Sequence, residues 1–436
     1  MKISVFQGVM FGVFGILALV GLFAFATYSG KRASSDTVGK VVIWGTLPSA
    51  PMQTFLTGAV QADQSLKGVA YVEKSAPTLA SDLATAIATG NGPDMILASQ
   101  EELTSLAKFV QPLPSSVLSP SAVANAFVGE AGLLAAPDGS GYYGVPFLVD
   151  PLVLFSNRAI LSSSGVAKPP ATWEALTGLV PTLAQLSPSR QVLRGLIGLG
   201  TYGNVHNARG ILSTLFLQQD VPMSSYGAGG VPVADLRGGR GLSGDPVGGA
   251  VLVFYTQFAD PTKVSYTWNG SLDDSQAVFA AGNLALYLGY ASEARFLRDA
   301  NPNLDYAVSP VPQPGTAKTK AVYGLMYSFL IPRGSANGNG AFQTAVKFSA
   351  PALQAAAAAA TSLAPVSLTA LSSPPSDTVG SVAYSEALYS KGWLSPEPAA
   401  TDRVFSGMIQ DVISGRLAPV TALGNAESSL SSLFQK

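Results

Sequence analysis

With no cysteine and a single histidine, His206, the chain has no means of forming disulfides, thiol nucleophiles, thiolate or multi-histidine metal sites, or Cys-linked lipids. Carboxylates, hydroxyls and aromatic rings are left to carry its chemistry. The pair Asp273–Asp274 is adjacent in sequence and so diverges in direction, whereas a glycan-cleaving site needs two carboxylates converging across a cleft. No G-x-S-x-G elbow, Walker loop or H-E-x-x-H occurs. Gly198 to Gly203 (GLGTYG) fits G-x-G-x-x-G, with Asp220 downstream. A dinucleotide site would need a helix to begin within those glycines, but Asn204 to Asn207 reads as continued loop, and no cofactor is expected. His206, flanked by Asn204 and Asn207, is placed either to donate to a ligand hydroxyl or to brace its own loop.

The residues suited to contacting a ligand sit where strands or loops end. Trp268 lies in the irregular stretch SYTWNGSLDD, Tyr290 just after a strand, and Tyr202 just after the expected strand Leu196–Leu199. Thr46 and Leu47 follow the strand Val41–Trp44, and Ser99 and Gln100 follow a strand over Pro93–Leu97. Ser99 with Glu102 also spells an S-x-x-E capping box, so Ser99 is equally readable as a helix N-cap. Asp150 precedes Pro151 and is either a ligand carboxylate or a turn residue.

Alternating strand and helix periods position these residues. Val69–Val72 gives another strand; Leu79, Leu83 and Ile87 share one face of a helix over Thr78–Thr89 that Gly90 can stop. Trp173, Leu176 and Val180 predict a helix ending at Pro181, and Asn207–Gln219 another, while the Gly-rich tract 227–249 reads as surface loop. A helix containing Val278 and Phe279 precedes the strand Leu284–Leu288; Tyr306–Val308 is a further strand, and Ala341–Leu363 is helical with Pro351 opening its second helix. Such alternation predicts an α/β body with a mostly parallel sheet and ligands at the carboxyl ends of its strands.

Composition narrows the partners. Of the 436 residues 47% are apolar and only 12% charged, enough to build a large core and too apolar for charge-driven disorder. The net charge of -1 leaves no basic stripe for nucleic acid. Residues 8–26 form an uncharged apolar run, roughly 28 Å as a helix, long enough to span a bilayer. It reads as a transmembrane anchor or, through Ala24-Phe25-Ala26, as a cleavable signal segment that would leave the body secreted. Lys2 before the run and Lys31-Arg32 after it leave its orientation open. Residues 1–7 would be the cytoplasmic end, and 27–40 a flexible tether.

Several blocks, in order, make the body resemble the family 1 extracellular solute-binding proteins, the sugar-binding components of ABC importers. They are Tyr143-Gly144-Val145-Pro146-Phe147 with Asp150 and Leu154 to Arg158; Gly92 to Ile96; Ala171 to Leu176; Phe279 to Leu286; Pro310-Val311-Pro312; and Ala341 to Phe348. The resemblance implies a two-lobed periplasmic-binding-protein-like fold of type II. Lobe 1 would hold residues 41–147 with about 325–370, and lobe 2 residues 148–324 with about 371–436. Crossings are expected near Pro146–Asp150, Tyr323–Tyr327 and Pro365–Pro375. It further implies a monomeric, non-enzymatic receptor outside the cytoplasm that closes on a sugar and serves an ABC permease, held at the membrane by its N-terminal helix in place of the lipid-modified Cys of lipoprotein members. A sugar presents apolar faces ringed by hydroxyls, so its cleft needs aromatic platforms and matched polar groups. Expected ligand contacts are Thr46, Ser99, Gln100, Asp150, Tyr202, His206, Trp268, Tyr290 and Tyr323. Asp150 and Tyr290 fall at or beside family ligand positions, and Tyr323 lies beside an expected crossing, where hinge packing is its other reading. Two rival readings are a glycan-active enzyme using cleft carboxylates and a surface adhesion or structural protein on the same fold.

Overall fold

A computed structural model describes residues 37–241 and 244–435. The apolar segment 8–26 and most of the tether lie outside these residues; among the described residues no helix is long and apolar enough to cross a membrane. The body begins with β1 (Val41–Gly45), α1 (Ser49–Ala62), β2 (Val69–Glu73), α2 (Leu79–Ala88) and β3 (Met95–Ser99). β1 pairs in parallel with both β2 and β3, the layout expected of alternating strands and helices. α2 buries Leu79, Leu83 and Ala86 and gives way to Gly90, whose φ of 71° ends the helical path.

There follow β4 (Gly144–Asn157), β5 (Val192–Ile197), α3 (Ala208–Gln218), α4 (Val247–Thr256), β6 (Leu284–Tyr290), β7 (Tyr306–Ser309) and β8 (Val322–Leu330). Helices α5 (Gly338–Phe348), α6 (Pro351–Thr361), α7 (Pro398–Ile413) and α8 (Pro419–Phe434) complete the chain. The main sheet runs β2-β1-β3-β8-β4-β6-β5. It is mixed rather than mostly parallel, because β8 lies antiparallel to β3 and β4, and β4 antiparallel to β6 and β7. Parallel crossover units therefore build the two flanks, and two antiparallel strands join them.

β4 makes that join. Its first part, Gly144 to Pro151, pairs with β8, and from Leu152 to Ser156 it pairs with β6. All 14 of its residues are buried, so the strand sits inside both halves of a two-lobed α/β body. Each half has its own aromatic core. Phe55, Phe147, Phe329 and Phe348 pack at centroid distances of 4.5 to 6.2 Å on one side. Phe155, Phe279, Tyr287 and Tyr306 pack at 5.5 to 6.4 Å on the other. Opposite the step from Tyr327 to Ser328, β4 carries one extra residue, Phe147, a bulge that turns the strand near the crossing.

Two local expectations need correction. Pro181 does not close the helix at Trp173; that helix ends at Gly178, and Pro181 opens a second turn over Val180–Leu183, where its missing N–H costs nothing. The Gly-rich tract is not all loop, since Met223–Tyr226 pairs with Pro232–Asp235 and α4 begins at Val247. α8 supports that hairpin, with Ser431 Oγ accepting from Ala234 N–H at 3.1 Å and Glu427 accepting from Leu236 N–H at 2.9 Å. Such support comes from residues almost 200 positions away and leaves no local sequence sign.

Candidate functional site

At the crossing, the loop after β3 faces the first turn of α3. Glu101 follows β3, and Arg209 projects from α3, which the long loop after β5 feeds. Arg209 donates to both carboxylate oxygens of Glu101, at 3.0 Å through Nε and 2.6 Å through Nη2. Its Nη1 donates to Asp402 of α7 at 2.6 Å. One guanidinium thus ties a strand end of one half to helices of the other, in the bidentate geometry that arginine favours. Burial works against the charge of Arg209, but its neighbours, Glu101 foremost, outweigh it and hold the guanidinium above its ordinary range.

Three tyrosines surround this pair. Tyr323, from the start of β8, donates its hydroxyl to Glu101 at 2.5 Å, and Tyr202 donates to Asp402 at 2.5 Å. The Tyr290 hydroxyl lies against Gly210, where any Cβ would stand 2.7 Å from it; only glycine beside Arg209 admits that ring. Burial first, then the nearby Glu101 carboxylate, keeps Tyr290 and Tyr323 well above the usual phenol range. Burial, with Asp402 next, does the same to Tyr202. The phenols are therefore neutral donors in this site.

Gln100 braces the cluster. Its Oε1 accepts from Met326 N–H at 2.7 Å, while Nε2 donates to Gly324 O at 2.8 Å and to the Tyr323 hydroxyl at 3.3 Å. Asp150, at the crossing itself, accepts from Ser292 N–H at 3.1 Å and from its hydroxyl at 2.6 Å. Burial pushes the Asp150 carboxyl up to about 7, against the pull of those two hydrogen bonds.

Of the nine predicted contacts, Gln100, Asp150, Tyr202, Tyr290 and Tyr323 gather around the crossing. Thr46 follows β1, half-buried, with its N–H on Leu97 O at 3.2 Å. Ser99 serves as a local brace, because the Glu102 carboxylate accepts both its N–H at 2.8 Å and its hydroxyl at 2.6 Å. That completes only half of a capping box, and the helix starts at Leu103. Trp268 departs from the expected platform. Its indole is fully buried, with Nε1 on Asn204 at 3.3 Å and its ring against Gly195 and Gly198, so it packs inside one half. His206 is exposed and turned to Asp274, 3.3 Å from Nδ1. As expected of the rejected dinucleotide motif, no helix starts within its glycines; α3 begins at Ala208.

Reading the sequence missed Arg209 and Asp402. Their one signal was scarcity, since a chain with 12% charged residues seldom places an arginine in a helix whose other residues are almost all buried. Among the described residues no group of three or more His, Asp or Glu is arranged to hold a metal ion.

Solved proteins share this architecture. A cyclo/maltodextrin-binding protein complexed with maltotetraose matches with a TM-score of 0.71 and 14% identity, over 93% of this chain and 99% of that one. The sugar-binding protein MalE of Xanthomonas citri matches at 0.71 and 19%, over 91% and 97%. The maltose/maltodextrin-binding domain MalE of Bdellovibrio bacteriovorus, bound to maltotriose, matches at 0.63 and 17%, over 91% and 100%. These likenesses define the class as the two-lobed binding-protein fold. Residues 58–380 match the model of the bacterial extracellular solute-binding proteins, and the chain belongs to that family. No curated protein matches it.

Proposed function

We propose that the protein is the extracytoplasmic receptor of an ABC importer, capturing a carbohydrate between its lobes and presenting the closed form to the permease. The observation that carries this reading is the meeting at one crossing of Glu101, Asp150, Arg209, Asp402 and three tyrosines supplied by both halves. Carboxylates and a guanidinium pair with sugar hydroxyls, and tyrosine rings cover the apolar sugar faces. The sugars held by structurally similar proteins, maltotetraose and maltotriose among them, favour an oligosaccharide. Asp150, Tyr202, Tyr290 and Tyr323 are the proposed contacts, with Thr46 at the mouth and Gln100 holding β8 in place. The lobes are those expected from the resemblance, residues 41–147 with about 325–370 and residues 148–324 with about 371–436. The N-terminal apolar segment either anchors the body outside the cytoplasm or is removed on export.

A ligand that touches both lobes favours the closed state, and that population shift is the signal a permease reads. Opening would part Arg209 from Glu101 and release both to the solute. Isothermal titration with maltose, maltotriose, maltotetraose and tagatose, with small-angle scattering on the same samples, tests this. Saturable heat with a falling radius of gyration is expected. Absence of both across the panel, or turnover of the oligosaccharides, would sink the proposal.

A further inference from the structure

Beside β8 lies a cavity of about 540 Å³ whose lining, which holds none of the residues just described, includes Glu130, Asp220, Lys320, Tyr389, Lys391 and Trp393. The two-residue strand Ser390–Lys391 in its wall pairs with Val322 and Tyr323 of β8. Glu130 is only 3% exposed. One of its carboxyl oxygens, Oε2, accepts from the Ser390 hydroxyl, but Oε1 is buried without a partner. Buried carboxyls are ordinarily satisfied at both oxygens, because an unmade hydrogen bond inside a protein is costly.

The surroundings keep space for this group. A Cβ on Gly392, in the cavity wall, would stand 2.5 Å from Oε1, and a Cβ on Gly324 would stand 2.2 Å from the Ser390 hydroxyl oxygen. Two lysines line the same cavity, of which Lys320 also lies within electrostatic reach of the buried Glu386 carboxyl. Lys320 lies 5.1 Å from the centre of the Tyr389 ring, and Lys391 is 3.8 Å from an Asp220 side chain that is 82% exposed. An exposed pair at that separation holds its lysine weakly.

We infer that this cavity is a second small-molecule site, taking a small hydroxy acid whose carboxylate meets Lys320 and Lys391 and whose hydroxyl meets Glu130 Oε1. A hydroxyl both donates and accepts, so it satisfies the carboxyl in either protonation state. Burial pushes Glu130 up to about 8, which makes the neutral form prevalent at pH 7. The lysines supply the charge that selects an acid over a neutral sugar.

Isothermal titration of the full chain in a mild detergent, with D-gluconate and with hexanoate as the acid lacking hydroxyls, tests the assignment. One-to-one gluconate binding is expected, with hexanoate weaker by about tenfold or more, the worth of one good hydrogen bond to a buried carboxyl. The surface double variant Lys320→Ala/Lys391→Ala should weaken gluconate by about tenfold or more while melting like the parent. Glu130→Leu should do the same at the floor. No gluconate binding to the parent chain, equal affinity for hexanoate, or gluconate binding left intact by the lysine double variant would overturn the site.

Discussion

Glu101 and Glu130 are both buried beside the start of β8, yet they are satisfied in opposite ways. Glu101 shares two hydrogen bonds with Arg209 and takes a third from Tyr323. Glu130 meets a serine hydroxyl alone, and one oxygen stays bare. The difference shows how a chain poor in charge deploys what it has. Opposite charges stand where two halves must recognise each other, and burial raises acids that have no cation beside them. Glu102 and Asp150 belong with Glu130, each pushed by burial to about 7.

Breaking the charged side of this contrast should have the largest effect. Arg209→Ala strands Glu101, 6% exposed, without its cation and should cost roughly 3–5 kcal/mol, read by urea unfolding. The same variant should scatter as a more open particle. A loss below about 1 kcal/mol would mean that the pair does not hold the halves together. Trp268→Ala empties a fully buried indole site and should cost about 3 kcal/mol, with oligosaccharide affinity unchanged once folded protein is compared. Lost affinity at undiminished stability would instead restore Trp268 as a ligand platform.

The neutral side predicts a pH dependence. The folded-state value of Glu130, about 8, lies above its ordinary 4.5, so its contribution to stability is fully present below about 4.5 and is lost as pH rises through 8. Glu130→Gln should therefore flatten the decline in stability between those values and be more stable than the parent at pH 8 by roughly 1–3 kcal/mol. Thermal melts across that window check it, and parallel profiles for the two proteins would contradict the assignment. The smallest effect is expected from Tyr202→Phe, which removes the hydroxyl donated to Asp402 and should cost about 1 kcal/mol while Arg209 keeps its pairs.

Local pattern accounts for most elements. β1, β2 and β3 and the helices at Leu79, Ala208 and Pro351 lie within a residue or two of where periodicity and stop signals put them. The failures share a cause. The hairpin in the Gly-rich tract depends on α8, and the mixed sheet depends on β4 and β8 crossing between halves, neither of which a window of neighbouring residues can report. The site divides along the same line. Strand-end and loop-end positions bring Gln100, Tyr202, Tyr290 and Tyr323 to the crossing, where they are proposed contacts, whereas the irregular stretch around Trp268 does not reveal that its ring folds inward.

By itself, then, the sequence determined the α/β layering, the absence of thiol and multi-histidine chemistry, and the strand-end positions from which a site could be built. Those follow from residue types and short-range spacing. Only the tertiary structure decided that Arg209 meets Glu101 and Asp402, that Glu130 keeps an unused oxygen beside a cavity, and that Trp268 is core. Each depends on groups from 64 to 260 residues apart brought within hydrogen-bonding or packing distance, and Coulomb and burial energies depend on that distance, not on separation along the chain.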